Sequence, residues 1–239
     1  MRVQLFIPCF VDQLYPQTAF NMIKVLEKAG CEVCYNTAQT CCGQPAFNAG
    51  FWDDARDVAA KYLKDFSSSD YIVGPSASCV GFVRNYYPKL FENSAAHHSA
   101  KDISARVFEF TEFMDKVLNV HEVGASLHTK ATYHDSCAAL RECKIKEAPR
   151  KLLSNVKGLE LVEMQDNETC CGFGGTFSVK FEPISIGMTD QKVHNALATG
   201  ASCIISTDLS CLMQMEGYIK KQQLPLETMH IADVLASGW

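Results

Sequence analysis

The sequence lacks most of the features that place a chain quickly. No stretch approaches the roughly 20 consecutive apolar residues that cross a membrane, and the opening Met1-Arg2-Val3-Gln4-Leu5-Phe6-Ile7-Pro8 is too short to serve as a secretory leader. Basic residues form no cluster beyond short runs such as Lys220-Lys221, and the net charge is −5, so a nucleic-acid footprint is absent. The glycine-rich segment Cys171–Ser178 has neither GxGxxG spacing nor a GKS or GKT ending, and no flavin or nicotinamide motif is visible elsewhere. What remains is an ordinary globular chain, expected in the cytoplasm. Its 239 residues, 47% of them hydrophobic, can bury a core in either half.

Cysteine is what the chain has in excess, with 12 copies. In a reducing compartment that number points to metal ligands or redox groups, because a chain of this size needs no disulfide staples. Eight of the twelve fit one duplicated template centred on Cys41-Cys42-Gly43 and Cys170-Cys171-Gly172. Cys9 lies 32 residues before Cys41 and Cys79 lies 37 after Cys42; Cys137 lies 33 before Cys170 and Cys211 lies 40 after Cys171. The flanks repeat too: Tyr71–Cys79 aligns without a gap on Cys203–Cys211, and Gly30–Val33 on Gly158–Leu161. A period of about 130 residues is too long for a solenoid and predicts two similar domains, residues 1–122 and 123–239.

Apolar spacing and β-branched runs predict the same order of elements in both halves. Strands are expected over Val3–Ile7, Val33–Tyr35 and Tyr71–Val73, with a helix through Phe20, Ile23, Val25 and Leu26 ending at Gly30 and another over Asp53–Phe66. The second half predicts strands over Ala131–His134, Leu159–Met164 and Cys203–Ser206. A helix-like run, Thr111–Leu118, leads into a short linker over Asn119–Lys130. Strand–helix alternation of this kind predicts an α/β fold of two Rossmann-like halves, each with a parallel sheet, related by internal duplication. Ligands gather at the carboxyl ends of such strands, where the loops carrying the cysteines would converge.

Thiolates are soft ligands that select iron–sulfur clusters, zinc or copper(I). Consecutive side chains normally diverge, so a Cys-Cys pair can serve one site only if the backbone turns sharply; Gly43 and Gly172 permit the positive φ of such a turn. Amide N–H groups exposed by the turn would stabilise a negatively charged, thiolate-bound group. A lone Cys-Cys pair is more often two buried small hydrophobes, but two copies in register argue against that. Structural zinc sites usually show two short-spaced CxxC pairs, which are lacking here. A metal-free dithiol site, requiring exposed thiols of depressed pKa, stays open as an alternative, as does a zinc-stabilised assembly module.

The remaining residues carry weaker signals. Cys31 and Cys34 have CxxC spacing but lie in a predicted strand, where i and i+3 face opposite ways, and Cys143 and Cys203 are expected to be core. Ser76 and Asp208 each stand three residues before a template cysteine, at matching positions. Helix capping suits both residue types, while Asp208 could alternatively ligate iron or relay a proton. His134 is three residues before Cys137, where it could donate to a ligand, although a structurally satisfied histidine is the commoner case; the same holds for His230. His97 and His98 look like surface loop.

The arrangement Cys9, Cys41-Cys42-Gly43, Cys79 and Cys137, Cys170-Cys171-Gly172, Cys211 resembles the duplicated cysteine-rich CCG domain of heterodisulfide reductase and of iron–sulfur subunits of glycolate and glycerol-3-phosphate dehydrogenases. More narrowly, CCGQPAFNAG from Cys41, CCGFGGTFSVK from Cys170, MHIADVL from Met229, SASC at Cys79 and DLSCLM around Cys211 resemble the lactate-utilisation protein A family. That resemblance implies an iron–sulfur component that oxidises L-lactate to pyruvate together with companion lactate-utilisation subunits, with hydride removal falling to a partner or directly to a cluster. It also implies that the eight template cysteines are the metal ligands, holding one or two clusters per chain. The reductase motif ends in CxxC, giving five cysteines per site and a non-cubane cluster; here Ser76 and Asp208 replace the fifth cysteine. Four cysteines per half put a cubane 4Fe-4S cluster on an equal footing.

Overall fold

The computed structural model describes all 239 residues. Eight short strands form two separate four-stranded sheets. β1 (Arg2–Leu5), β2 (Glu32–Tyr35), β3 (Tyr71–Gly74) and β4 (Val107–Glu109) make the first, in the order β2-β1-β3-β4. β5 (Ser126–Tyr133), β6 (Lys157–Val162), β7 (Cys203–Ser206) and β8 (Glu227–His230) repeat that order as β6-β5-β7-β8. Every pairing is parallel. Parallel strands are covered on both faces, which is why β3 and β7 read as the apolar runs Ile72-Val73 and Ile204-Ile205, all four residues fully buried.

The chain leaves β1 toward β2 on one side and returns to β3 on the other, so the order reverses beside β1, and likewise beside β5. The loops after such strands open onto a crevice. Cys9 and Cys137 sit directly beyond β1 and β5, Cys41-Cys42 and Cys170-Cys171 beyond β2 and β6, and Cys79 and Cys211 beyond β3 and β7.

The two halves are fused through their apolar interior. One hydrophobic core runs from Val3, Leu5 and Met22 through Phe110 and Phe113 to Tyr133, Ile204 and Leu235. The halves exchange supports: helix Ile231–Leu235 packs on helix Pro16–Lys28, and Phe110–Glu112 packs on helix Glu147–Leu153. Polar contacts follow the same pattern. Asp233 accepts from Thr18 Oγ1 and Asn21 Nδ2, both at 2.8 Å, and His230 Nε2 lies 2.8 Å from the Pro75 carbonyl.

Several boundaries differ from expectation. β5 begins at Ser126, not Ala131, through a register irregularity between Ser126 and Thr129, which shortens the linker to 119–125. Thr111–Leu118 is one α-turn followed by a π-helical turn, Phe113–Leu118, closed by Asn119 at φ 53°. His97 and His98 open a helix, His97–Arg106, in place of the expected surface loop. The buried face of Ala100, Ile103 and Arg106 and the contact of His97 Nδ1 with the Pro88 carbonyl hold it there.

Candidate metal centre

Both cysteine sets open on one cavity of about 660 Å³ at the junction of the halves, and all eight template cysteines line it. Within each half the sulfurs form a chain of contacts in matching order: Cys9 to Cys41, Cys41 to Cys42 and Cys42 to Cys79, then Cys137 to Cys170, Cys170 to Cys171 and Cys171 to Cys211. The Cys9–Cys41 sulfurs are 3.9 Å apart. The geometry that brings adjacent cysteines together is the glycine turn. Gly43 (φ 91°) and Gly172 (φ 92°) adopt a left-handed conformation and turn their N–H groups onto Cys41 Sγ and Cys170 Sγ, each at 3.4 Å.

That arrangement makes one ionised sulfur per half. The thiols of Cys42 and Cys9, then the Gly43 amide, hold Cys41 far below the ordinary thiol range; Cys137, Cys171 and the Gly172 amide do the same for Cys170. Donation to those thiolates pushes Cys9, Cys42, Cys137 and Cys171 upward, reinforced by burial. Two sets of soft donors, each with an anionic anchor cradled by a backbone amide, fit an iron–sulfur cluster.

The cysteines outside the template stay outside the cavity. Cys31, Cys143 and Cys203 are buried, and Cys34 Sγ accepts from Arg2 Nε at 3.1 Å. Ser76 occupies the N-cap position of helix Ala77–Leu90 but its side chain accepts from no backbone N–H of the first turn, meeting Ser78 Oγ at 3.1 Å instead. Asp208 does the capping for both halves. It accepts from the N–H groups of Ser78 (2.9 Å) and Ser210 (3.4 Å) and from both serine hydroxyls, at 3.3 and 2.7 Å. Two helices therefore start on one carboxylate: Asp208 of the second half, and not Ser76, takes the Ser78 N–H in the first turn of the first-half helix.

His134 departs most from expectation. It is fully buried, and neither ring nitrogen has a hydrogen-bond partner, so it is not the satisfied core histidine of the commoner case. One ring nitrogen and the sulfurs of Cys171 and Cys211 lie within 4.8 Å of one another. Burial, with Lys192 adding to it, pushes its pKa down to about 3, so the ring is neutral, with one N–H and one lone pair unpaired. Leaving such groups unpaired in a dry interior costs about 1–3 kcal/mol each, which a bound group at the cysteines would offset. His230, by contrast, is fully satisfied: Ala232 N–H donates to its Nδ1 at 3.1 Å.

Four neighbours of the second set are invisible to the cysteine template. Lys192 is fully buried and donates to the Asp166 carbonyl. Gln214 Nε2 donates to Ser185 Oγ (3.1 Å) and Thr189 Oγ1 (3.0 Å), and Thr189 Oγ1 donates to the Cys171 carbonyl at 2.8 Å. A lysine and two hydroxyls on the inward face of helix Glu182–Leu197 are the signal that could have found them.

Comparison with known proteins finds the same duplication. Residues 3–84 and 131–216 each match the family described as Cysteine-rich domain, CCG. Lactate utilization protein A of Halalkalibacterium halodurans is 43% identical over 235 residues, covering 98% of this chain and 96% of that protein. Lactate utilization protein A of an Exiguobacterium species is 45% identical over 240 residues, covering 99% and 98%. A hypothetical protein from Helicobacter pylori has a similar fold at TM-score 0.63 and 12% identity, matching 98% of this chain and 48% of that longer one. With two CCG domains and near full-length identity above 40%, the chain belongs to the lactate utilization protein A family.

Proposed function

We propose that the chain is an iron–sulfur electron-transfer component of a bacterial system that oxidises L-lactate to pyruvate, acting with companion subunits in the cytoplasm. The single observation that carries this reading is the pair of matched four-cysteine sets facing one cavity. Cys9, Cys41, Cys42 and Cys79 would hold one 4Fe-4S cluster, and Cys137, Cys170, Cys171 and Cys211 a second. When bound, such clusters supply one-electron storage. The residues of the chain supply the rest: the Gly43 and Gly172 amides donate to sulfur and stabilise its negative charge, Asp208 fixes the helices that carry Cys79 and Cys211, and the fused core keeps both sets on one cavity. The substrate assignment draws support from the relatives' name, Lactate utilization protein A.

The ionised thiols of Cys41 and Cys170, each beside a neutral one, also meet the chemical requirement of a thiol–disulfide enzyme, and that is the second reading. Anaerobically purified chain mixed with its companion subunits and L-lactate separates the two. Bleaching of a visible cluster absorption that requires the companion subunits and L-lactate is expected. A colourless chain that consumes an oxidised dithiol instead would contradict the proposal.

A further inference from the structure

Because the halves repeat one another, each residue beside the first cysteine set has a counterpart beside the second. The backbone gives the correspondence. Phe6 N–H donates to Val73 O (3.0 Å) and His134 N–H to Ile205 O (2.8 Å), which pairs Phe6 with His134. A Cβ added to Gly43 would meet Ala55 and Val58, and one added to Gly172 would meet Ser185 and Met188. Those contacts pair Ala55 with Ser185 and, one and two turns further on, Ala59 with Thr189 and Tyr62 with Lys192. The helices beginning at Ala77 and Leu209 pair Phe82 with Gln214.

The two surroundings are opposite in character. Around the first set, Phe6 meets Tyr62 edge-on at 4.9 Å between ring centroids, and Tyr62 meets Tyr87 at 5.3 Å. That shell is aromatic, with the unpartnered Tyr62 hydroxyl its one free donor. Around the second set, the same positions hold an imidazole with both nitrogens unpartnered and a fully buried lysine whose ammonium donates to the Asp166 carbonyl, and the positions matching Ala55, Ala59 and Phe82 hold the hydrogen-bonded Ser185, Thr189 and Gln214. Hydrogen bonds and positive charge beside a cluster favour the form carrying the extra electron, more strongly in a dry interior than in water. Asp208 opposes this with a negative charge that reaches Cys137 and Cys211; it also bonds Ser78, the residue preceding the last template cysteine of the first half, so only part of its effect enters the difference.

Resting on the iron–sulfur reading above, we propose that the two sites are electrochemically unequal. The second-half site has the higher reduction potential, because His134 and Lys192 stand where the first half has Phe6 and Tyr62. An electron delivered by a reduced iron–sulfur or flavin carrier then settles on the second-half site. The carrier is oxidised by one electron and the second-half site is reduced by one, whether it receives the electron directly or by way of the first site, which then returns to its oxidised form; no bond is made or broken. His134 and Lys192 act here as positioning residues for charge.

A redox titration of the anaerobically purified full chain, followed by electron paramagnetic resonance at fixed pH, tests this, with iron per chain measured on the same samples. Two waves are expected, separated by at least a tenfold ratio of reduced states, about 59 mV for a one-electron couple. His134→Phe, which copies the counterpart residue, should move the upper wave down by a similar factor and leave the lower wave in place. Lys192→Met, which removes charge and leaves every thiol intact, should do the same even if His134→Phe loads iron poorly. Wild-type chain that holds iron but titrates in a single wave overturns the asymmetry and leaves the electron-transfer reading standing. So does a wild-type pair of waves of which Lys192→Met moves neither, or moves the lower one. Wild-type chain without iron overturns the reading on which the inference rests.

Discussion

Cys41 and Cys170 each hold the ionised position in a row of four sulfurs, and the residue that makes this possible is the glycine two places on. Gly172 has no room for a side chain: an added Cβ would sit 2.5 Å from the Ser185 carbonyl oxygen, at a φ of +92°. Gly172→Ala is therefore expected to cost roughly 2–4 kcal/mol, the sum of left-handed strain and a clash with backbone. Gly187, on the same region of helix Glu182–Leu197 but with nothing within 4 Å, should gain about 1 kcal/mol on conversion to alanine. Urea unfolding of both variants checks the pair, and equal effects would contradict the assigned geometry. Cys41→Ser should halve the iron content, while Cys203→Ala, in the strand core away from the cavity, should leave it unchanged; iron analysis reads both. The eight cysteines were legible in the sequence because duplication marks them twice. Lys192 was not, since its meaning lies in what replaces it in the other half, Tyr62, and helix offsets conceal that pairing until the backbone is seen.

At the scale of elements, the ends of strands and the starts of helices carry most of the polar chemistry. Glu109, the last residue of β4, is completely buried; it caps the next turn by accepting from Thr111 N–H (2.8 Å) and Glu112 N–H (3.1 Å), and it accepts from Thr207 of the second half. Burial raises its pKa from 4.5 to about 7 despite those donors. The folded chain thus holds this proton more tightly than the unfolded chain. Its contribution to stability is fully present below about pH 4.5 and is lost as pH rises through about 7, a change on the order of 3 kcal/mol. Glu109→Gln keeps a carbonyl acceptor and cannot ionise, so the difference in denaturation midpoint between wild type and variant should shift in the variant's favour across that window. Parallel pH curves would contradict the assignment. The apolar strands were readable from pattern alone, because parallel strands buried on both faces leave continuous runs such as Tyr71–Gly74. Short helices such as Cys9–Leu14 and Gln44–Asn48 were not, because they are too brief for periodicity and are held by tertiary contacts.

For the whole molecule, duplication made two parallel sheets predictable, but it did not reveal how closely they are joined. The core passes without a break from β1 to Leu235, Asp208 caps a helix in each half, and Glu109 reaches Thr207. We propose that residues 1–122 and 123–239 are two copies of one unit that fold only together. Each fragment expressed alone should lack cooperative unfolding, whereas the intact chain should melt in one transition; a fragment with a sharp transition of its own would contradict this. The same fusion puts both cysteine sets on one cavity, and on that the functional account depends. The most direct measurement is iron and acid-labile sulfide per chain on protein purified without oxygen, read beside electron paramagnetic resonance of the reduced form. The account predicts roughly eight irons with matching sulfide, as two four-iron clusters require. Iron near zero, with zinc or free thiols in its place, would contradict it.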